Sequence, residues 1–537
     1  MILGNLGFVR PEDVECFATT HLPFRKAHHV SQDQSLSHIP LGFYAGTPIF
    51  LRGYPVLTLC LLDLEPQLNF GKAQEIQLEQ FASLVAQQME TWLLRRETEN
   101  LEKVRSSLRM SSLSLSAISC SEPRRSIPEG EAAIVFTDVQ GSTTLWEADP
   151  DAMDVALVLH NHIMRQCCTE FNGVEIVTEG DAFHLAFHDG VDALKFALKV
   201  QKSLHEAPWC EEILLMPDAC EDADKFFRGL RVRMGISWGE VKSRRNEVTS
   251  QYEYVGLAVN TAKSLENMAH GGQILVSGDL WNEVAHVADS ILGSPQVLDL
   301  GMHVMLKGIL ESDGVVAQRV MQVLPSSLAV DYYTLRKKGA SKVRGRIFPP
   351  IISKRQLSAS FHDAPFENNH VAILFVYTSA IEKKVNATET LALLSKFIGT
   401  LLSQDFPGGG YQCKNFMLAF RSSTAAVKFG LKLLEEISSG SALLDRTIAG
   451  LLQIGVFEGE FTTLECNPAT GRCDYFGKVV NRAARVAGAA ENGAVYLGML
   501  GHEKPTLECS DVAVEFVCNK ALKGVQGEAV LYKCSQL

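Results

Sequence analysis

The sequence predicts an α+β chain in which one β-α-β-β-α-β plan occurs twice, behind a smaller α+β region. Four anchors recur in the same order: "IVFTD" at 134 with "ILFVY" at 373, "GDAFHLAF" at 180 with "CKNFMLAF" at 413, "YEYVGLAVNTAKS" at 252 with "CDYFGKVVNRAAR" at 473, and "MLKGI" at 305 with "ALKGV" at 521. The offset falls from 239 (134 to 373) to 216 (305 to 521), so the first copy carries extra residues, mainly from Ser203 to Phe226. Hydrophobic periodicity supplies the second observation: a strand at Ile134, a helix near Met153 to Phe171, a hairpin through Gly180, a helix near Val191 to Leu204 and a strand at "LRVRMGIS". The third is a Ser-, Pro- and Gly-rich break from Ser106 to Gly130, which reads as a linker.

These breaks divide the chain into an N-terminal region at 1–105, a linker at 106–130, a first copy at 131–325, a second linker at 326–367 and a second copy at 368–537. The element order of each copy is that of a ferredoxin-like layout, with antiparallel pairing on one face and helices expected on the other. In the N-terminal region, "HIPLGFYAGTPIFLRGYPVLTLCLLDLEP" from His38 reads as two strands and a turn. A helix follows from Gln77 to Leu108, with Leu78, Phe81, Val85, Met89 and Trp92 forming one apolar stripe that resumes at Leu101, Val104 and Leu108 after "RRETEN". Such a helix would transmit a pairing state to the two copies, or simply cap them.

Composition narrows the function classes. Of 537 residues, 46% are hydrophobic and 21% charged, and the net charge of -12 argues against a nucleic-acid footprint. No apolar run approaches the roughly 20 residues of a membrane-spanning helix, and Met1 to Arg10 lacks a signal-peptide layout, so the expected location is cytoplasmic. The 13 cysteines are scattered in apolar contexts such as "LTLCLL" and "VLYKCSQL", which suits reduced core thiols. Cys466 and Cys473 flank "NPATGR"; a zinc site would need a second ligand pair, and none follows, so a hairpin loop is expected there.

Through "FTDVQGSTTLWE", "TEGDAF", "GLRVRMGI" and "QYEYVGLAVN", the first copy resembles class III nucleotidyl cyclases, the adenylyl and guanylyl cyclase family, and especially their protist branch. The resemblance spans roughly residues 130 to 325 and 368 to 535. "FYAG" and "LCLLD" resemble the C-terminal half of a GAF domain, a small-molecule sensor module, although less chain precedes "FYAG" than a whole GAF domain has. The cyclase resemblance implies two catalytic domains meeting head to tail as an intramolecular pseudo-heterodimer, each site borrowing residues from both. It implies that Asp138, Asp181 and the backbone carbonyl of Val139 hold two Mg²⁺ (or Mn²⁺). The second copy has Tyr377 and Lys414 at the carboxylate positions, yet keeps Asp474, Asn481 and Arg485, which match the family's base-reading Asp and its transition-state Asn and Arg. The first copy has Glu253, Asn260 and Ser264 there. The losses are complementary, so the expectation is one live composite site and one degenerate site.

By the same resemblance, Arg233 and Lys523 contact the phosphate tail. The expected reaction converts ATP to cyclic AMP and pyrophosphate, with no nucleic-acid partner, no membrane span and a homodimer contact through the N-terminal region and helix. GTP as substrate, a nucleotide-binding pseudoenzyme and a dimerisation scaffold stay open as alternatives. Base choice rests on Asp474, an acceptor for the N6 amino group of adenine. The Lys that usually assists it is replaced by Gly410, so discrimination against GTP should be weakened.

Overall fold

The computed structural model describes residues 43–51, 54–63 and most of 71–89, and residues 127–537 apart from 246–251, 306–316, 331–344, 384–385, 441–443, 502–504, 506 and 522–527. In the N-terminal part, β1 (Phe43–Leu51) and β2 (Tyr54–Asp63) form an antiparallel hairpin, as the sequence reading expects. Within the helical residues of 72–89, Leu78 and Ala82 are buried whereas Phe81 is 61% exposed and Val85 is exposed. The expected stripe is therefore split, with Ala82 continuing the buried side one turn after Leu78. Trp92, Leu101, Val104, Leu108 and the linker as far as residue 126 lie outside the described residues.

The two copies build sheets of one strand order. The first contains β3 (Gly130–Val139), α1 (Ser142–Ala148), α2 (Pro150–Glu170), β4 (Val174–Glu179), β5 (Ala182–Phe187), α3 (Gly190–Glu206), β6 (Val232–Arg245), β7 (Tyr252–Val255), α4 (Leu257–Met268), β8 (Ile274–Ser277), α5 (Gly278–Val284), β9 (Gln296–Val304) and β10 (Ala317–Leu324). The second contains β12 (His370–Tyr377), α6 (Ala387–Gln404), β13 (Tyr411–Lys414), β14 (Met417–Phe420), α7 (Ser423–Ser439), β15 (Gln453–Glu460), β16 (Thr463–Cys466), β17 (Cys473–Phe476), α8 (Lys478–Ala487), β18 (Ala494–Leu500), β19 (Val512–Ala521) and β20 (Glu528–Gln536). Among the described residues, the order β4-β5-β3-β6-β8-β10-β9 in the first sheet repeats as β13-β14-β12-β15-β18-β20-β19 in the second. The parallel β6–β8 pair is matched by a parallel β15–β18 pair. Cys466 faces Cys473 across the β16–β17 hairpin, the hairpin that the sequence reading expects there.

Helices cover both faces of the sheet, which corrects the expectation of helices on one face only. Along β6, Val232, Met234 and Ile236 join the core under α2 and α3, while the alternate side carries Arg233, Gly235 and Ser237. A Cβ at Gly235 would lie 2.1 Å from the backbone nitrogen of Glu266 and 2.2 Å from the carbonyl oxygen of Ala262, so α4 rests directly on the strand. Gly455 in β15 does the same for α8, where a Cβ would lie 2.0 Å from the nitrogen of Ala487. Glycine opens a face that any side chain would close.

The copies share a hydrophobic core. Leu265, Leu298, Leu300 and Val320 of the first copy cluster with Ile373, Tyr475, Val479 and Val486 of the second, and buried Phe361 joins them from the connecting segment. That segment adds β11 (Arg355–Gln356) to the edge of β9. Buried Arg346 anchors it by donating to Gln201 Oε1 at 2.7 Å and to the carbonyl of Phe226 at 2.8 Å, and burial pulls its pKa down to about 10.

His160 on α2 is wholly buried, bonds to Asn161 through Nδ1 at 3.0 Å and meets the ring of Phe183 edge-on. Burial lowers its pKa to about 4. The unfolded chain takes up a proton as pH falls through the ordinary value of 6.5, while the folded chain does so only near 4, so stability is lost across that window. Replacing His160 with Gln should remove about 2–4 kcal/mol of the stability lost between those pH values, measured by urea unfolding across the range. Gly235→Ala and Gly455→Ala should each cost about 1–3 kcal/mol through overpacking, read by calorimetry of the full chain; an unchanged melting temperature in both would refute the direct helix-on-strand contact.

Candidate active site

Asp138 stands at the end of β3, opposite Arg233 in the ladder with β6. Arg233 Nε donates to Asp138 Oδ2 at 3.0 Å and lies 2.8 Å from Glu266 Oε1, on α4. Glu266 is 1% exposed and also has Lys263 Nζ at 3.1 Å. Burying that carboxylate is tolerable because two cations face it. Asp181 follows Gly180, whose φ of +64° suits the tight β4–β5 turn, and its Oδ2 accepts from the backbone N–H of Val139 at 3.2 Å. Burial raises the Asp181 pKa above the usual carboxylate range, and the neighbouring Asp138 charge adds to the rise.

The structure thus gathers Asp138, Val139, Asp181 and Arg233 into one cluster at the end of β3. A half-buried carboxylate whose proton affinity rises beside a second carboxylate fits a divalent cation, whose charge would relieve the repulsion. Among the described residues no three His, Cys, Asp or Glu side chains form a complete metal cage. Magnesium suits such a site, since it commonly takes one or two carboxylates and completes its shell with water and substrate phosphate.

In the second copy the charges vanish together. Tyr377 is exposed and pairs in register with Gln453, and the repeat places Ala487 where Glu266 stands. Lys414, at the Asp181 position, lies 3.0 Å from Asp474 Oδ2. Asp474 is 4% exposed, Asn467 Nδ2 reaches its Oδ2 at 3.4 Å, and its Oδ1 has no hydrogen-bond partner among the described residues. Lys414 and Asp474 lie sixty residues apart in sequence (414 to 474), so no spacing rule announces their pairing; it arises where β13 meets β17. A side chain at Gly410 would collide with the Phe420 ring, 2.2 Å from the Cβ position.

Asn481 and Arg485 lie four residues apart on one exposed side of α8, and neither side chain bonds to another described residue. No hydrogen bond or ion pair among the described residues joins Asp138 or Asp181 to Asp474, Asn481 or Arg485. Lys523 lies outside the described residues.

Residues 125–287 match the model of the adenylate and guanylate cyclase catalytic domain. Adenylate cyclase of Lachancea kluyveri is 44% identical over 166 residues, covering 30% of this chain and 9% of that protein. Adenylate cyclase of Neurospora crassa is 40% identical over 161 residues, covering 29% and 7%. A putative serine/threonine-protein kinase/receptor of Acanthamoeba polyphaga mimivirus is 37% identical over 173 residues, covering 30% and 10%. The chain therefore spans no more than a tenth of the length of these relatives. Among solved structures, a Trypanosoma brucei adenylate cyclase in its monomeric state matches 43% of this chain and 98% of its own, at 26% identity and a TM-score of 0.33. The adenylyl cyclase CyaB of P. aeruginosa matches 37% and 95%, at 20% identity and a TM-score of 0.29. The segment that carries Asp138, Asp181, Arg233 and Glu266 is thus the one that matches a class III cyclase catalytic domain.

Proposed function

We propose that this chain is a class III nucleotide cyclase that converts ATP to cyclic AMP and pyrophosphate at one composite site between its two copies. The observation that carries this reading is the division of charge: Asp138 and Asp181 stand in the copy matching the cyclase domain, whereas Asp474, Asn481 and Arg485 stand in the copy whose carboxylate positions hold Tyr377 and Lys414. The adenylate cyclases named above, at 40–44% identity, support ATP as the nucleotide.

Asp138 and Asp181, with the Val139 carbonyl, would hold the two Mg²⁺ or Mn²⁺ ions. Such ions, when bound, acidify a hydroxyl and neutralise phosphate charge. The ribose 3′-oxygen attacks the α-phosphorus in line and gives its proton to solvent; the bond to the β-phosphate oxygen breaks, and pyrophosphate leaves. Asn481 orients the ribose and Arg485 meets the charge that develops on the α-phosphate. Arg233, kept in place by Glu266, and Lys523 are the candidate cations for the phosphate tail. Asp474 Oδ1, a buried acceptor without a partner among the described residues, accepts from the adenine N6 amino group, and Lys414 supplies the donor that Gly410 cannot. The N-terminal region acts as a GAF-like sensor and homodimer contact, and the chain works in the cytoplasm.

Asp138→Asn and Asp181→Asn should each lower turnover at least about a hundredfold with the fold intact, because an amide cannot replace a bridging carboxylate; near-normal turnover in both variants would sink the metal assignment. The purified chain is assayed with ATP or GTP and Mg²⁺ or Mn²⁺, and a complete lack of cyclic product would turn the reading to a pseudoenzyme. The native kcat/KM ratio should favour ATP, and Asp474→Ala should reduce it by about tenfold or more. A native preference for GTP would refute the base assignment.

A further inference from the structure

The β16–β17 hairpin of the second copy docks on the first copy through its tip. Asp299 of β9 is fully buried, and its carboxylate accepts from Arg472 Nη1 at 3.0 Å and from Arg319 Nη2. The backbone N–H of Asp299 donates to the carbonyl of Gly471 at 2.9 Å. Gly471 has φ of +64°, and a Cβ there would lie 2.5 Å from the Asp299 nitrogen, so both its conformation and its closeness require glycine. Trp281 Nε1 of α5 donates to the carbonyl of Ala469 at 2.6 Å. Arg472 spans three segments: besides Asp299, it donates to the carbonyls of Ala359 (2.9 Å) and Gln412 (2.8 Å), and it stacks 4.0 Å over the Tyr411 ring. Tyr411 in turn accepts through its hydroxyl from the N–H of Cys473 at 2.8 Å.

The residues of this ion pair occur on one side of the repeat only. In the repeat, Gln251 stands where Arg472 does, and the strand registers put Phe516 where Asp299 stands. Phe516 is exposed and carries no charge, whereas Asp299 is buried with two arginines. The ion pair therefore serves the hairpin that carries Asp474, two residues beyond Arg472, and it seats that hairpin on the copy that carries Asp138 and Asp181. A buried ion pair is a poor source of net stability but a strong setter of register. Asn467 extends the link: its Oδ1 accepts from the N–H groups of Ala469 and Thr470 at the tip, while its amide reaches Asp474.

We propose that Arg472 and Asp299 form a one-sided positioning latch, which sets where Asp474 stands relative to the first copy and thereby tunes nucleotide choice. This rests on the cyclase reading above. Arg472 touches no reacting atom in that scheme and acts through the strand it holds. Loss of Arg472 leaves Asp299 paired with Arg319, so the carboxylate is not stranded.

The full chain and its Arg472→Ala, Arg472→Lys and Asp474→Ala variants are compared by hydrogen–deuterium exchange of residues 463–476 and by kcat/KM for ATP and GTP. Arg472→Ala should speed exchange in that hairpin by about tenfold or more and lower the ATP/GTP ratio by about tenfold, with Arg472→Lys recovering part of both. Adding Asp474→Ala to Arg472→Ala should cost little further selectivity, because the two act through one strand. Faster exchange with an unchanged nucleotide ratio would reduce the pair to a structural tie and overturn the proposal; unchanged exchange would overturn the docking itself. Should Arg472→Ala fail to fold by circular dichroism, the Arg472→Lys variant decides on the same two readouts. A native chain that forms no cyclic nucleotide refutes the cyclase reading instead, and the exchange data still decide the docking.

Discussion

Helix backbone laid directly on a strand glycine is the contact from which the rest of the arrangement follows. At Gly235 it brings α4 close enough for Glu266 to reach Arg233, and through Arg233 the charge at Asp138 is balanced. At Gly455 the same contact seats α8, which presents Asn481 and Arg485 on its open side. A single methyl group at either glycine would have to push a helix away, because backbone atoms cannot yield as a flexible side-chain tip can. One steric requirement therefore places residues of two different chemical kinds, in two copies of one sheet.

Electrostatics then separates the copies. The first keeps a connected set of charges, Asp138, Arg233, Glu266 and Lys263, and each depends on the others to be tolerated in a partly or fully buried setting. The corresponding second-copy residues at the first three positions are Tyr377, Gln453 and Ala487, none of them charged. Removing only Asp138 would have left Arg233 and Glu266 to rearrange; removing the set leaves no buried charge unbalanced. The second copy consequently carries no burden at this position and is free to hold Lys414 against Asp474.

The contact between copies is both apolar and polar, and the two parts differ in what they can specify. The shared core of Leu298, Val320, Tyr475 and Val486 is non-directional and supplies adhesion. The hydrogen-bonded tip of the β16–β17 hairpin has a unique geometry, since the Asp299 N–H, the Gly471 carbonyl and the Arg472 guanidinium must all meet. Adhesion holds the copies together and directional bonds choose their register.

Much of the plan is legible in the chain itself because it is written in local chemistry. Strand and helix periodicity, the recurring anchors and the exchange of Asp138 for Tyr377 and Asp181 for Lys414 are properties of neighbouring residues, so they determine the repeated layout, the candidate carboxylates and the asymmetry. The N-terminal stripe reads less well, because Ala82 takes the buried place that size alone assigns to Phe81. Other features depend on residues distant in sequence. The second helical layer required knowing that Gly235 lies under Ala262 and Glu266, and the Lys414–Asp474 and Asp299–Arg472 pairs join strands that only the fold brings side by side. Sequence alone sets which chemical groups the chain possesses and in what order; tertiary structure decides which of them meet, because ion pairs and hydrogen bonds act over a few ångströms of space regardless of the length of chain between them.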